Sequence, residues 1–285
     1  TDVWLGWAAE VTQGTPVVAA NTFDALYSGT QADAAVGRTP IEVRNGSANS
    51  TIAFYDKQGR LTVNISQELG PVRAFAWLAA NGVTTGGIIK PGPITITENY
   101  GALDAKQYPG CKATKHTIRG GYNNTFTIDT QMIGTAPPVT IASAAAPAFT
   151  AEDPFDWSHW QKPTVIGATA MMECEDVELV IDFTLAEFYG GGQSFPTRND
   201  RSKNAISGRM TMLYAPAEYA AYKAKTYAPL VLSLSGYSHT AVFTIPKAVY
   251  LTYPITSGQD KYVTGPVTFG AVSRDASDMM SLATT

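Results

Sequence analysis

The sequence predicts a mainly β protein built as two tandem β-sandwich or barrel domains, each with one short helix. Three observations predict it. Apolar and polar residues alternate with period two along several runs. Gly- and Asn-rich turns punctuate those runs. Only two segments carry helix signals, and they sit in matching surroundings.

Residues 61–66 read Leu-Thr-Val-Asn-Ile-Ser, the pattern of a strand with one buried and one wet face. Residues 93–98, 125–129 and 230–235 repeat the pattern. Residues 177–185 are rich in branched side chains and predict a longer strand. Asn45-Gly46, Gln58-Gly59, Gly120-Gly121, Asn123-Asn124, Gly190-Gly191-Gly192 and Ser257-Gly258 supply the turns. Gly70-Pro71 opens the first helix, with Pro71 at a favoured first position, and residues 72–80 continue it with Phe75, Leu78 and Ala79 on one face. Asn81-Gly82 ends it, Gly82 being free to take a left-handed cap. The second helix opens at Ala215-Pro216 and runs over residues 217–227, stopping before Pro229.

The order strand, Pro-started helix, strand occurs twice. Gly59-Arg60-Leu61-Thr62-Val63, Gly70-Pro71 and Ile94-Thr95-Ile96 form one set. Gly208-Arg209-Met210-Thr211-Met212, Ala215-Pro216 and Val231-Leu232-Ser233-Leu234 form the other. Such a repeat predicts two copies of one unit. The expected division is a first domain over residues 1–140, an Ala- and Pro-rich linker over 141–154, and a second domain over 155–285.

Composition narrows the function. The 285 residues are 45% hydrophobic and 15% charged. Soluble domains usually carry about 25% charged residues, so either much of this surface is covered by something else, or the chain is a secreted or thermostable β protein with a Thr, Ser and Asn surface. The net charge of −4, with no basic run, argues against nucleic-acid binding, which needs clustered cations. No apolar run approaches the ~20 residues of a membrane span. Thr1-Asp2-Val3-Trp4 lacks the basic and apolar regions of a signal peptide, and fits a chain trimmed of its initiator Met. Cys111 and Cys174 are expected as reduced, packed thiols.

Catalysis, a metal and a cofactor are not expected. His116, His159 and His239 are scattered, and no zinc, calcium, nucleophile-elbow or phosphate-loop motif is present. The sharpest chemical feature is the acidic cluster Glu173, Glu175, Asp176, Glu178 and Asp182. On a strand, Glu178, Val180 and Asp182 share one face, opposite Val177, Leu179 and Ile181. This face suits a solvated sheet, a polar wall towards a channel or partner interface, or a glycosidase carboxylate pair, which would need a sugar cleft.

Several phrases in fixed order resemble the major tail tube protein family of siphovirus-type bacteriophages. They are Gly6-Trp7-Ala8-Ala9-Glu10-Val11-Thr12-Gln13-Gly14-Thr15-Pro16, then Glu68-Leu69-Gly70-Pro71 with its helix, then the strand beginning Pro93-Ile94-Thr95, then Tyr108-Pro109-Gly110-Cys111-Lys112. The resemblance continues through residues 183–196, 207–227 and 230–249. It implies a virion protein, assembled in the host cytoplasm, that self-assembles into stacked rings as a conduit for DNA ejection. It implies rings that are trimeric with pseudo-sixfold symmetry, or hexameric. Implied partners are the tape measure protein, tail terminator and distal tail proteins, and genomic DNA passing without specific binding, with no membrane. The rivals are a carbohydrate-binding or adhesin sandwich, and another virion ring or decoration protein.

Physics adds two expectations. Strands 61–66 and 125–129, with 209–212 in the second copy, should belong to an inner sheet whose polar residues Thr62, Asn64, Ser66, Thr125, Thr127 and Asp129 face the lumen. Residues 1–15, 21–40 and 190–204 should pack poorly in one subunit and order between rings, through Gly29, Asp33, Gly37, Gly191, Arg198 and Arg201.

Overall fold

A computed structural model of the chain describes residues 3–17, 22–24, 27–45, 48–100, 104–142, 152–166, 174–258, 261–264, 266–273 and 279–285. In chain order the elements are β1 (Val3–Ala9), β2 (Thr22–Asp24), β3 (Tyr27–Asn45), β4 (Ala48–Glu68), helix α1 (Arg73–Ala80), β5 (Val83–Thr84), β6 (Gly87–Ile88), β7 (Ile94–Tyr100), β8 (Ala105–Gly121), β9 (Thr127–Gly134) and β10 (Val139–Ile141). A 3-10 turn, Trp157–His159, leads to β11 (Trp160–Thr164), β12 (Cys174–Phe188), β13 (Arg198–Met212), helix α2 (Pro216–Ala224), β14 (Ala228–Gly236), β15 (His239–Thr252), β16 (Ile255–Gly258), β17 (Lys261–Thr264), β18 (Val267–Ala271) and β19 (Ser281–Thr284). The fold is mainly β with two short helices.

The ladders among the described residues are antiparallel. The earlier strands run β3–β4–β9–β8–β7–β1, with β2 beyond β1 and β10 on the start of β8. The later strands run β12–β13–β18–β15–β14–β11, with β19 on the start of β15. A β8–β12 ladder joins the two runs into one sheet. The irregularities recur as well. The β7–β8 ladder shifts between Ile94 and Ile96, and β14–β15 between Ala228 and Leu230. The β8–β9 ladder shifts between Ala113 and Lys115, and β15–β18 between Tyr250 and Thr252. The β3–β4 ladder shifts between Tyr27 and Gly29, and β12–β13 between Cys174 and Asp176. Pro109 and Pro246 fall inside corresponding bulges, where a strand tolerates a residue without an N–H.

The register corrects one detail of the repeat. Thr62, Val63 and Asn64 face Ile133, Met132 and Gln131, as Ser207, Gly208 and Arg209 face Gly270, Phe269 and Thr268. Gly208 therefore corresponds to Val63, and not to Gly59. It lacks a Cβ because the Glu178 carbonyl oxygen and the Phe269 ring fill the space where that atom would lie. Counting on from these positions, Pro71 coincides with Pro216.

Other local expectations also shift. Helix α1 starts after Val72, so Pro71 is not its first residue. The Glu152 carboxylate accepts from the backbone N–H groups of Val72 and Arg73 at 2.6 and 3.0 Å, filling the role of an N-cap from afar. Gly82 does take a left-handed conformation, φ 96°. Helix α2 has Pro216 in its first turn, and it ends earlier than expected, at Lys225 with φ 53°. Strand β7 does not have a wet face: residues 94–99 are all buried. Thr125 precedes β9 and makes only a single bridge, to Asp156.

One apolar cluster runs through both halves. It includes Leu5, Leu61, Ile65, Trp77, Leu78, Ile128, Leu179, Phe183, Ile206, Phe243 and Phe269. Phe75 of α1 lies 6.1 Å from Phe155 and 6.4 Å from Phe243, ring centroid to centroid, so the first helix packs on residues of the later run.

Candidate functional site

The strands β4, β9, β8, β12 and β13 lie side by side, and their side chains sort into rows by register. Asn64, Gln131, Lys115, Asp182 and Ala205 form one row. Ser66, Asp129, Thr117, Val180 and Ser207 form the next, and Glu68, Thr127, Arg119, Glu178 and Arg209 the third. The intervening rows hold Val63 with Met132, Ile65 with Thr130, His116, Ile181 and Ile206, and Gln67 with Ile128, Ile118 and Leu179, all buried. Period-two sequence thus gives one polar sheet face and one core face across the joint between the two runs.

The polar face is held by a continuous chain of contacts. Ser66 Oγ donates to Asp129 Oδ1 at 2.6 Å. Arg119 bridges β9 and β12, its Nη1 2.6 Å from Asp129 Oδ2 and its Nε 2.8 Å from Glu178 Oε2. Arg209 Nη2 reaches the same Glu178 oxygen at 3.5 Å. On β13, Thr211 donates its hydroxyl to Asp176 Oδ2 at 2.9 Å. The bond to Glu178 pushes the Arg119 guanidinium pKa up, against a smaller desolvation. With both arginines half-exposed, each pair contributes roughly 0.2–1 kcal/mol. The consequence lies in charge: the carboxylates Glu68, Asp129, Asp176, Glu178 and Asp182 are offset in part by Lys115, Arg119 and Arg209 on the same face. The acidic cluster looks bare in sequence because its cations come from other strands. The signal available is Arg119 and Arg209, each in a polar position of its own strand.

Of the residues expected to face a channel, Asn64 and Ser66 are exposed, and Thr62, Thr125, Thr127 and Asp129 half-buried. Glu175 is exposed at the β12 bulge, and Glu173 lies outside the described residues. Gly29, Asp33 and Gly37 lie on β3. Gly191 is exposed, and a Cβ added there would meet no atom within 4 Å. The Arg198 guanidinium sits 5.0 Å over the Phe188 ring and 2.7 Å from Asp200. Arg201 lies on β13, its side chain outside the described residues.

The three segments expected to pack poorly are corrected in part. In residues 1–15, strand β1 pairs with β7 and buries Trp4, Leu5 and Ala8. In residues 190–204, everything from Arg198 on belongs to β13 and pairs with β12, burying Asn199 and Asn204, so the true loop is short. In residues 21–40, β2 and β3 both form ladders.

Sequence reasoning passes over Glu10, which the structure makes a hub. Buried at the end of β1, it accepts from Thr95 Oγ1 at 2.6 Å, Gly110 N at 2.7 Å and Gly14 N at 2.8 Å. Gly110 has φ 67°, and a Cβ there would meet Thr135 Oγ1 at 1.8 Å. The Glu10-to-Pro16 phrase and the Tyr108-to-Lys112 phrase are therefore two sides of one contact. Lys112 Nζ extends it, donating to Gln13 Oε1 at 2.9 Å and Asn199 O at 2.6 Å. Desolvation, then the charge of Lys90, pushes its ammonium pKa down to about 8.

Cys111 and Cys174 are free thiols, both pushed towards the protonated form by burial, Cys174 up to about 12. Among the described residues, no three His, Cys, Asp or Glu side chains gather as metal ligands. No described helix is long and apolar enough to cross a membrane. A family model described as phage tail tube protein matches residues 2–271. No curated protein matches the chain.

Proposed function

The chain belongs to the phage tail tube protein family, and from that premise we propose that it self-assembles into stacked rings whose polar sheet face lines a conduit for DNA. The observation that carries this reading is the paired network Ser66–Asp129–Arg119–Glu178–Arg209 on a wet face, backed by a continuous core. DNA binds proteins by exchanging its counterions for free Lys and Arg. Here Arg119 and Arg209 already face carboxylates, so a passing phosphate finds few cations to hold it, and the remaining Thr, Ser and Asn side chains offer only weak contacts.

The recurrent ladder order and bulges support reading the chain as two copies of one unit, divided as 1–140, 141–154 and 155–285. A trimer would then have pseudo-sixfold symmetry, with a hexamer of whole chains as the alternative. The product is a part of the virion tail, built in the host cytoplasm, and it meets the tape measure, tail terminator and distal tail proteins. Its work is mechanical, with no catalytic step. The test is negative-stain imaging of the purified chain over a concentration series. Rings or tubes with an open bore are expected. A species that stays single at high concentration would overturn the reading.

A further inference from the structure

The chain contains one complete seam between its two runs of strands, and both open edges of another. In the complete seam, β7 takes residues 105–111 of one β8 edge and β12 takes residues 115–121. The register runs from Asp182 opposite Lys115 to Asp176 opposite Gly121. Strand β14 stands to β15 as β7 stands to β8, and occupies that edge up to Ala248. Beyond it, residues 252–258 have ladders on their other side only, to β18 at Thr252 and to β17 from Ile255, among the described residues. Strand β3 likewise pairs with β4 alone among the described residues, whereas its counterpart β12 pairs on both sides. Open edges of this kind are templates for another strand.

We infer that a second copy of this chain lays its β3 antiparallel along the β15–β16 edge, in the register of the seam within the chain. The bulges fix that register. Gly29 opposes Ser66 just after a bulge, as Asp176 opposes Thr211. Thr252 opposes Thr268 just after a bulge, as Lys115 opposes Gln131. Carrying the seam across places Gly29 opposite Gly258, Gln31 opposite Thr256, Ala32 opposite Ile255, and Ala35 opposite Thr252. Pro254 falls opposite Asp33 and removes at most one donor, as prolines on edge strands do.

This inference rests on the tube reading and goes past it by naming the edges, the register and the chemistry. The two seams differ in chemistry. Within the chain, Arg119 and Glu178 lock across the ladder at 2.8 Å. Between chains, Thr256 and Gln31 hold those ladder positions, and Thr252 and Ala35 hold those of Lys115 and Asp182. The seam inside the chain is salt-bridged, and the seam between chains carries no ion pair at these positions. Backbone hydrogen bonds hold it, and salt screens those little.

The test is a cysteine pair, Gln31→Cys with Thr256→Cys, oxidised after assembly. A disulfide needs Cα atoms within roughly 4.4–6.8 Å, which directly opposed strand residues satisfy. The inference expects chains linked into dimers and larger species. An equal mixture of the two single variants should give linked pairs only, and either single variant alone none, which also reports that each folds and assembles. The displaced pair Gln31→Cys with Thr252→Cys should not link. Tubes or rings in which the 31/256 pair stays unlinked, or in which the displaced pair links equally well, would overturn the inference and leave the tube reading standing. Failure of the parent chain to form any ring would overturn both.

Discussion

Helices α1 and α2 occupy the same place in the two runs of strands, yet different chemistry seats them. Helix α1 buries Ala74, Phe75, Trp77 and Leu78, and the Trp77 indole donates to Thr130 Oγ1 at 2.9 Å. Helix α2 buries only Glu218 and Ala221, and the Glu218 carboxylate accepts from Tyr250 Oη at 2.7 Å. Around it Tyr219, Tyr222 and Tyr253 form a ring cluster, with centroids 5.6 to 6.1 Å apart. The difference continues beneath the helices. His116, wholly buried, bonds Thr130 Oγ1 at 2.9 Å and reaches the Asn81 carbonyl at 3.5 Å. In the later run, Val267 holds the ladder position of Thr130, and Tyr253, one residue past the Thr252–Thr268 pair, stands where His116 follows Lys115. Ladder order and bulges are thus alike in the two runs, while the packing inside them differs.

That contrast can be broken by substitution. Trp77→Ala should cost about 3–5 kcal/mol in denaturant unfolding, since it empties a fully buried site. Tyr219→Ala, which removes a half-buried ring of the tyrosine cluster on α2, should cost less, about 1 kcal/mol. Equal losses would show that the two seats are energetically alike.

The next effect is pH dependence, and it is read in the first seat. Burial pushes the His116 pKa down to about 4 from 6.5. The folded state therefore favours neutral imidazole. Its stabilisation is complete above pH 6.5 and is lost as pH falls towards 4, by roughly 3 kcal/mol at 1.36 kcal/mol per unit. His116→Gln should flatten unfolding free energy over this window. A slope unchanged in the variant would assign the acid sensitivity elsewhere.

Smaller still is Tyr250→Phe in the second seat. It strips a hydrogen bond from a buried carboxylate, and should cost about 1.5–3 kcal/mol. Urea titration of the variant checks it, and no change would mean that Glu218 finds another donor. Least affected should be the polar face. Arg119→Gln removes exposed pairs worth roughly 0.2–1 kcal/mol, and thermal unfolding of the unassembled chain should barely move.

Local pattern is legible in the sequence and long-range supply is not. The alternation at Leu61 to Ser66 and at Val177 to Asp182 is a property of neighbours, and both strands show the expected wet and buried faces. The start of α1 is misplaced from sequence because its cap, Glu152, arrives from across the chain. Strand β7 reads as half-wet because nothing nearby reveals that Glu10 covers Thr95, or that Gln107 lies opposite Thr97. For the same reason the partners of the acidic cluster are not legible: Arg119 and Arg209 become its neighbours only once β8, β12 and β13 lie in register. The short phrases that carry the resemblance are more telling than the composition, since two of them are the halves of the Glu10 contact.

The central claim is that the face holding Asn64 and Arg119 lines an enclosed bore. An Asn64→Cys variant tests it through labelling by a small maleimide and by a bulky polymer-linked one, before and after assembly. The native thiols should contribute little background, because burial keeps both protonated. The account predicts that the small reagent reacts in both states, while the bulky one reacts with free chains and is excluded from tubes. Equal reaction of the bulky reagent with free and assembled protein would contradict it.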